Sequence, residues 1–245
     1  MRRTVRGLDG QLLWHLVAYA ALLAVYPSNR LAAQVGHDPA QSPFHDIPLR
    51  AQPVFFVGHL SADRGRVGAG MSNALTFGMR YEVPTGRSIL FQFTAAYLKG
   101  DRFIINPSAD SSSPDRRRGP VGSEVLITDI STQLRLTGAK SWRGIAPYVG
   151  VGLGMAFDLG SPGDTTKSGY TFGTKFTLGG STGVRWFPTR RVMVNADFRA
   201  QLWRLRYPAS FSFPAPDGSR VVPLTDPSTD WTLHPWISLG VGWTF

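Results

Sequence analysis

The sequence contains no cysteine, which excludes a disulfide scaffold, a thiolate metal site and a cysteine nucleophile. It is also poor in charge. Asp, Glu, Lys and Arg make up 17% of the 245 residues against 42% hydrophobic residues, too apolar a balance for a disordered chain. After the first 33 residues, no apolar run approaches the ~20 residues that a membrane-spanning helix needs. If this chain enters a membrane, it must do so as a closed barrel, because only helices and closed sheets satisfy every backbone group there. Well-formed helical patterning is scarce too, and 27 Gly and 18 Pro argue against a helix bundle.

The formal net charge is +10, a balance that raises the question of nucleic acid. Four of the basic residues, Arg2, Arg3, Arg6 and Arg30, lie near the N-terminus, and the rest are scattered among strands and loops. A nucleic-acid footprint needs a clustered basic face interleaved with stacking aromatics, so no nucleic-acid partner is expected.

Arg2, Arg3 and Arg6 precede the apolar stretch Leu12 to Tyr26, and Leu31-Ala32-Ala33 places small residues before Gln34. This is the three-part layout of a cleaved secretory signal peptide, assigned to residues 1–33. Residues 34–52 are polar and Pro-rich and are expected to form a periplasmic lead-in. His37-Asp38 and His45-Asp46 in that segment lack the further ligands a metal site needs, and neither a metal nor a cofactor is predicted.

From Pro53 to Phe245 the pattern has a period of two, the signature of strands. Eight stretches are predicted, near residues 53–62, 71–83, 88–98, 123–137, 146–158, 171–187, 192–206 and 231–245. In the fifth, Val149, Val151, Leu153, Met155 and Phe157 share one face and Gly150, Gly152, Gly154 and Ala156 the other. Apolar residues on one face with small or polar residues on the other suit a strand between lipid and a polar lumen. The connections alternate. Tight turns at Pro84–Arg87, 140–144 and Pro188–Arg191 contrast with longer links near 99–122, 159–170 and 207–230, the first hairpin near Asp63 to Gly70 being the short exception on the long side. That alternation predicts an all-β, eight-stranded antiparallel up-and-down transmembrane barrel with turns on one side and loops on the other. Ten strands are the alternative, since Phe211-Ser212-Phe213 and Val221-Val222 could extend the last hairpin. Tyr81, Trp142, Tyr148, Trp186, Phe187, Trp243 and Phe245 are expected in a belt at the turn end. Tyr97, Phe157, Tyr170, Phe172, Trp203, Tyr207 and Trp231 are expected in one at the loop end.

In architecture the stretch 53–245 resembles the small bacterial outer-membrane barrels related to outer-membrane proteins A, X and W. Its final residues, Ile237, Leu239, Val241, Trp243 and Phe245 in alternation, are similar to the signal by which the barrel-assembly machinery recognises its clients. The resemblance implies an outer-membrane location, with lipids and lipopolysaccharide as neighbours. It also implies the assembly machinery and periplasmic chaperones as partners during biogenesis, and a monomer.

The inward faces are expected to carry Arg80, Glu82, Asp129, Arg135, Lys175, Arg185, Asp197 and Arg199 as a lumen polar network, because isolated charges in a closed interior are costly. Arg185 and Asp197, on one hairpin, form the best specific pair. Arg116, Arg117 and Arg118 are candidates for docking lipopolysaccharide phosphates through guanidinium forks. His59-Leu60-Ser61 resembles the His-x-Ser element of lipid A deacylases, but Ala62 stands where that family has Asn. No catalytic residue is assigned. The expected role is structural or surface-interacting and non-enzymatic. A narrow porin-like conduit for ions or small apolar solutes is the alternative, and a lipid A-modifying acyl hydrolase the third.

Overall fold

A computed structural model describes residues 42–160, 166 and 168–244. The signal-peptide assignment, His37-Asp38 and Phe245 lie outside these residues. Among the described residues ten strands run in chain order: β1 (Phe44–Asp46), β2 (Gln52–Leu60), β3 (Met71–Pro84), β4 (Ile89–Ile105), β5 (Arg117–Arg135), β6 (Lys140–Trp142), β7 (Ile145–Gly160), β8 (Lys175–Trp186), β9 (Val192–Arg206) and β10 (Thr229–Trp243).

Eight of them close a ring in which every neighbour is antiparallel. β10 pairs with both β2 and β9, and β7 with both β5 and β8, so no wall strand has an open edge. The short strands β1 and β6 pair with each other at the turn end and stand outside the ring count. Phe211 and Val222 do not add a hairpin of strands. Ala209–Ser212 is a 3₁₀ turn, tied down by the Val222 amide donating to the Phe211 carbonyl at 2.8 Å. The wall is therefore eight-stranded, as the turn–loop alternation requires.

Period-two patterning sets the register. On the outer face Val57 lies opposite Leu239 and Phe77, and Leu153 opposite Ile130 and Leu178. Phe55, Val151 and Leu239 are 64%, 68% and 59% exposed. A contiguous ring of such residues has no place in water, and it forms the lipid-facing band of a transmembrane barrel. Tyr81, Trp142, Trp186 and Trp243 are exposed at its turn end, where ring amphipathicity suits the headgroup level.

Two parts of the aromatic assignment are corrected. Tyr148 is fully buried inside the barrel, and so are Tyr170, Phe172, Trp203 and Tyr207 at the loop end. Each lies on an inward parity or in a loop folded over the bore, and a ring there gains more from burial than from the headgroup zone. Strand lengths also depart from expectation. A spanning strand needs about 9–11 residues, whereas β4 has 17 and β5 has 19, so both rise well past the lipid. β8 starts at Lys175 rather than 171 and has 12 residues.

Candidate functional site: the filled lumen

The bore holds two layers of different chemistry. The polar layer fills the half nearer the turns. Its lower part centres on Glu82, whose carboxylate accepts from Gln52 at 3.0 Å, Gln92 at 2.9 Å and the Arg185 Nη2 at 2.7 Å. Arg185 also donates to the Gln133 side-chain oxygen and lies over the Tyr148 ring at 4.0 Å.

The upper part centres on Asp197, which accepts from Arg80 Nη2 at 3.0 Å, Arg199 Nε at 2.8 Å and the Tyr148 hydroxyl at 2.5 Å. Arg199 continues to Asp129 at 2.9 Å and donates to the Gln92 oxygen, which joins the two parts. Arg80 completes its fork on Asn195 at 3.1 Å and Ser238 at 2.7 Å, with its face over Phe56 at 4.1 Å. Three arginines and three carboxylates, contributed by β3, β5, β8 and β9, thus bridge walls far apart in sequence. Each charge is desolvated, so it persists only because a partner and further hydrogen bonds replace its water.

Glycines make the room. An added Cβ on Gly183 would come within 2.5 Å of the Tyr148 hydroxyl, and one on Gly154 within 2.7 Å of the Asp129 Cβ. The inward glycines of β7 and β8 thin the wall where the guanidiniums need volume. A cavity of about 10 Å³ remains beside Asp129, Ser181 and Gln201, roughly one water's worth of space.

The predicted lumen residues fall as follows. Arg80, Glu82, Asp129, Arg185, Asp197 and Arg199 are brought together in this layer, and Arg135 is buried beside it, donating to the Gly86 carbonyl at 3.2 Å. Two expectations are corrected. Arg185 and Asp197 do not pair with each other: Arg185 faces Asn195 and Asp197 faces Gly183 in the β8–β9 register. Their guanidinium and carboxylate instead reach across the bore to Glu82 and Arg80. Lys175 does not join the network. It stands at the loop end of β8, half-buried, with its ammonium over the Phe172 ring at 5.5 Å, because that height of the bore is apolar.

The second layer is the feature that the sequence reading missed. Towards the loops the inward residues become Ala96 and Leu98 on β4, Val125 and Ile127 on β5, and Trp203 and Leu205 on β9. Tyr170, Phe172, Phe211 and Val222 close over them from the loops. His234 lies within this layer, stacked on Trp203 at 3.6 Å, and its Nδ1 accepts from the Asp63 amide at 3.2 Å. Burial, with no acceptor among the described residues, pushes the Tyr170 hydroxyl up to about 12. The missed signal was the run Val125-Leu126-Ile127, apolar on both faces, which marks a strand with lipid on one side and an apolar interior on the other.

The remaining candidates occupy other places. Ile237, Leu239, Val241 and Trp243 lie on the outer face of β10. His59 and Ser61 are both exposed, with His59 between Leu75 and Ile237 on the outer wall. Arg116 is tied to its own loop, its Nη1 donating to the carbonyls of Pro107 at 3.0 Å and Ala109 at 2.5 Å. Arg118 is paired with Asp115 at 3.0 Å. Of the predicted triad, Arg117 alone is left with only a ring contact among the described residues, lying over Phe103 at 3.8 Å.

No family model matches this chain, and no curated protein matches it. Among solved structures it is similar to the outer membrane protein OprG of Pseudomonas aeruginosa, at 12% identity and a TM-score of 0.52. That match covers 83% of this chain and 99% of that one. It is also similar to the Neisserial surface protein A, at 15% identity and a TM-score of 0.45, covering 83% of this chain and 98% of that one. The first likeness fixes the fold as that of a small outer-membrane barrel.

Proposed function

We propose that this protein is a non-enzymatic barrel of the bacterial outer membrane whose role is structural or surface-interacting. The observation that carries the reading is the filled bore: a closed ion-pair network across one half and an apolar layer roofed by loop residues across the other. A bore packed by side chains holds its wall rigid and leaves the loops as the working surface, where binding residues usually reside. On this reading outer-membrane lipids and lipopolysaccharide surround a monomer. The assembly machinery and chaperones act only during biogenesis, after a signal peptide is removed.

Conductance in planar bilayers tests the closed bore. Refolded protein is expected to give negligible current, and a steady ohmic conductance would overturn the structural role. Location is tested separately by adding protease to intact cells. Cleavage near Asp115 to Arg118 with protected turns at Thr85 and Thr189 is expected, and the reverse pattern would invert the orientation.

A second reading, a conduit for small apolar solutes, draws support from the apolar upper layer. It would show as uptake of such solutes into vesicles that carry no ionic current.

A further inference from the structure

The loop end carries several arginines, and their partners sort them. Arg66 is paired with Asp226 at 3.1 Å, and Arg118 with Asp115 at 3.0 Å. Arg116 directs its Nη1 to two carbonyls of its own loop. Arg64 and Arg117 differ. Among the described residues their guanidiniums meet no carboxylate or carbonyl; each instead lies over one shared ring, Phe103, at 5.2 and 3.8 Å from its centroid.

Phe103 lies between Arg102 and Ile104, where the β4–β5 register shifts and β5 sets two residues, Gly119 and Pro120, against this one, a bulge that bends β5 beside the ring. Arg117 opens β5 opposite Ile105, and Arg64 comes from the β2–β3 loop. In that loop Gly68, at φ +75°, would bring an added Cβ to 3.9 Å from the Arg117 Nη2. The guanidinium of Arg117 therefore lies over the Phe103 ring and close to Gly68. Nearby Asp63 is engaged by the Gly65 amide at 2.9 Å. Two cations thus share one ring, and among the described residues their N–H groups meet no side-chain or backbone acceptor.

We infer that Arg64, Phe103 and Arg117 form an anion clamp for a phosphoryl group of lipopolysaccharide. The chemistry is that of two planar forks, pre-oriented by one ring, presenting several N–H donors to tetrahedral phosphate oxygens. Stacking removes rotamer freedom beforehand, so less entropy is lost on binding. Height selects the source. Phe103 stands six residues along β4 beyond Tyr97, roughly 15 Å higher at a rise of ~3.3 Å per residue and a strand tilt near 40°. A glycerophosphate at the lipid surface falls short of that height, whereas the phosphorylated sugars of lipopolysaccharide rise to it. The inference rests on the outer-membrane reading above and replaces the Arg116–Arg118 triad as the contact.

The test uses the full mature chain refolded in phosphatidylcholine vesicles. It is titrated with fluorescent lipopolysaccharide, with the same lipopolysaccharide stripped of its core phosphates, and with orthophosphate as competitor. Arg64→Gln and Arg117→Gln are each expected to weaken binding of the phosphorylated form about tenfold, as loss of a charge-assisted contact does. Arg118→Gln should change it less than about threefold, because that side chain is already paired. Phe103→Leu should match the two glutamine variants, since both stacked cations lose their platform. Heat-modifiable migration on gels reports folding of each variant, and Arg64→Lys, which keeps charge but loses the planar fork, serves if a glutamine variant fails to fold. Its expected affinity lies between wild type and no clamp.

Equal binding of stripped and phosphorylated lipopolysaccharide would overturn the proposal. Unchanged affinity in the Arg64 and Arg117 variants, or an Arg118→Gln loss as large as theirs, would overturn it equally. Binding of orthophosphate alone, with no preference for lipopolysaccharide, would assign the clamp to free phosphate and refute the lipid source. The protease test of orientation stands independently, so failure of the clamp and failure of the outer-membrane reading give different results.

Discussion

Asp197→Asn is the most informative single change to this barrel. The carboxylate is fully buried and accepts from Arg80, Arg199 and Tyr148 at 3.0, 2.8 and 2.5 Å. Asparagine keeps the shape and one acceptor oxygen but removes the charge. Arg199 retains Asp129 at 2.9 Å. Arg80 retains only the neutral Asn195 and Ser238, so one guanidinium becomes a buried cation without an acid. Removing one partner of a buried pair costs about 3–5 kcal/mol. The retained hydrogen bonds should put Asp197→Asn near the lower bound, about 3 kcal/mol. The assay is urea unfolding of vesicle-refolded protein, followed by tryptophan fluorescence and gel migration.

Adding Arg80→Met should then recover part of the loss, because the orphaned charge is gone, and the cycle should report a coupling of about 1–3 kcal/mol. A loss below about 0.5 kcal/mol for Asp197→Asn, or strict additivity in the cycle, would refute the claim that these charges are held by each other. It would mean instead that water inside the bore screens them.

Leu153→Arg, on the lipid-facing wall, should cost about 2–4 kcal/mol in the same vesicle titration, and an unchanged midpoint would misplace that face. Gly183→Ala should destabilise by at least about 1–3 kcal/mol through overpacking, since its Cβ would come within 2.4 Å of the Ala196 carbonyl oxygen. Gly180→Ala, with nothing nearer than 3.9 Å, should be close to neutral. Stability should fall as pH rises from about 10 to 12, because the unfolded Tyr170 hydroxyl loses its proton near 10.0 while burial holds it on in the folded state to about 12. The loss is worth up to roughly 2–3 kcal/mol, and Tyr170→Phe should remove that part of the alkaline slope without lowering stability at pH 7, which alkaline unfolding curves of the two proteins would check.

The wall of this protein was legible in one dimension. Alternation along Val149 to Phe157 and Ile237 to Trp243 set inside against outside, and short turns at Pro84–Arg87 and Pro188–Arg191 set the strand order. A period-two pattern needs only its own neighbours to be read. The inward position of Arg80, Glu82, Asp129, Arg185, Asp197 and Arg199 followed from the same parity. Who pairs with whom did not. Arg185 meets Glu82 and Asp197 meets Arg80 because the closed ring brings β3 opposite β8 and β9 across the bore, and long side chains reach over that gap in preference to their own hairpin. The apolar upper layer was half visible in Val125-Leu126-Ile127, but its roof depends on Tyr170, Phe172, Phe211 and Val222 folding back from loops with no periodicity to announce them. The Arg64–Phe103–Arg117 cluster is wholly tertiary, since it needs two cations from separate segments to meet one ring beside the irregular β4–β5 pairing. Sequence alone determined which face of each strand meets lipid, because that choice is local. Only closure of the ring decided how the buried charges are neutralised, because that depends on which strands end up facing each other across the bore.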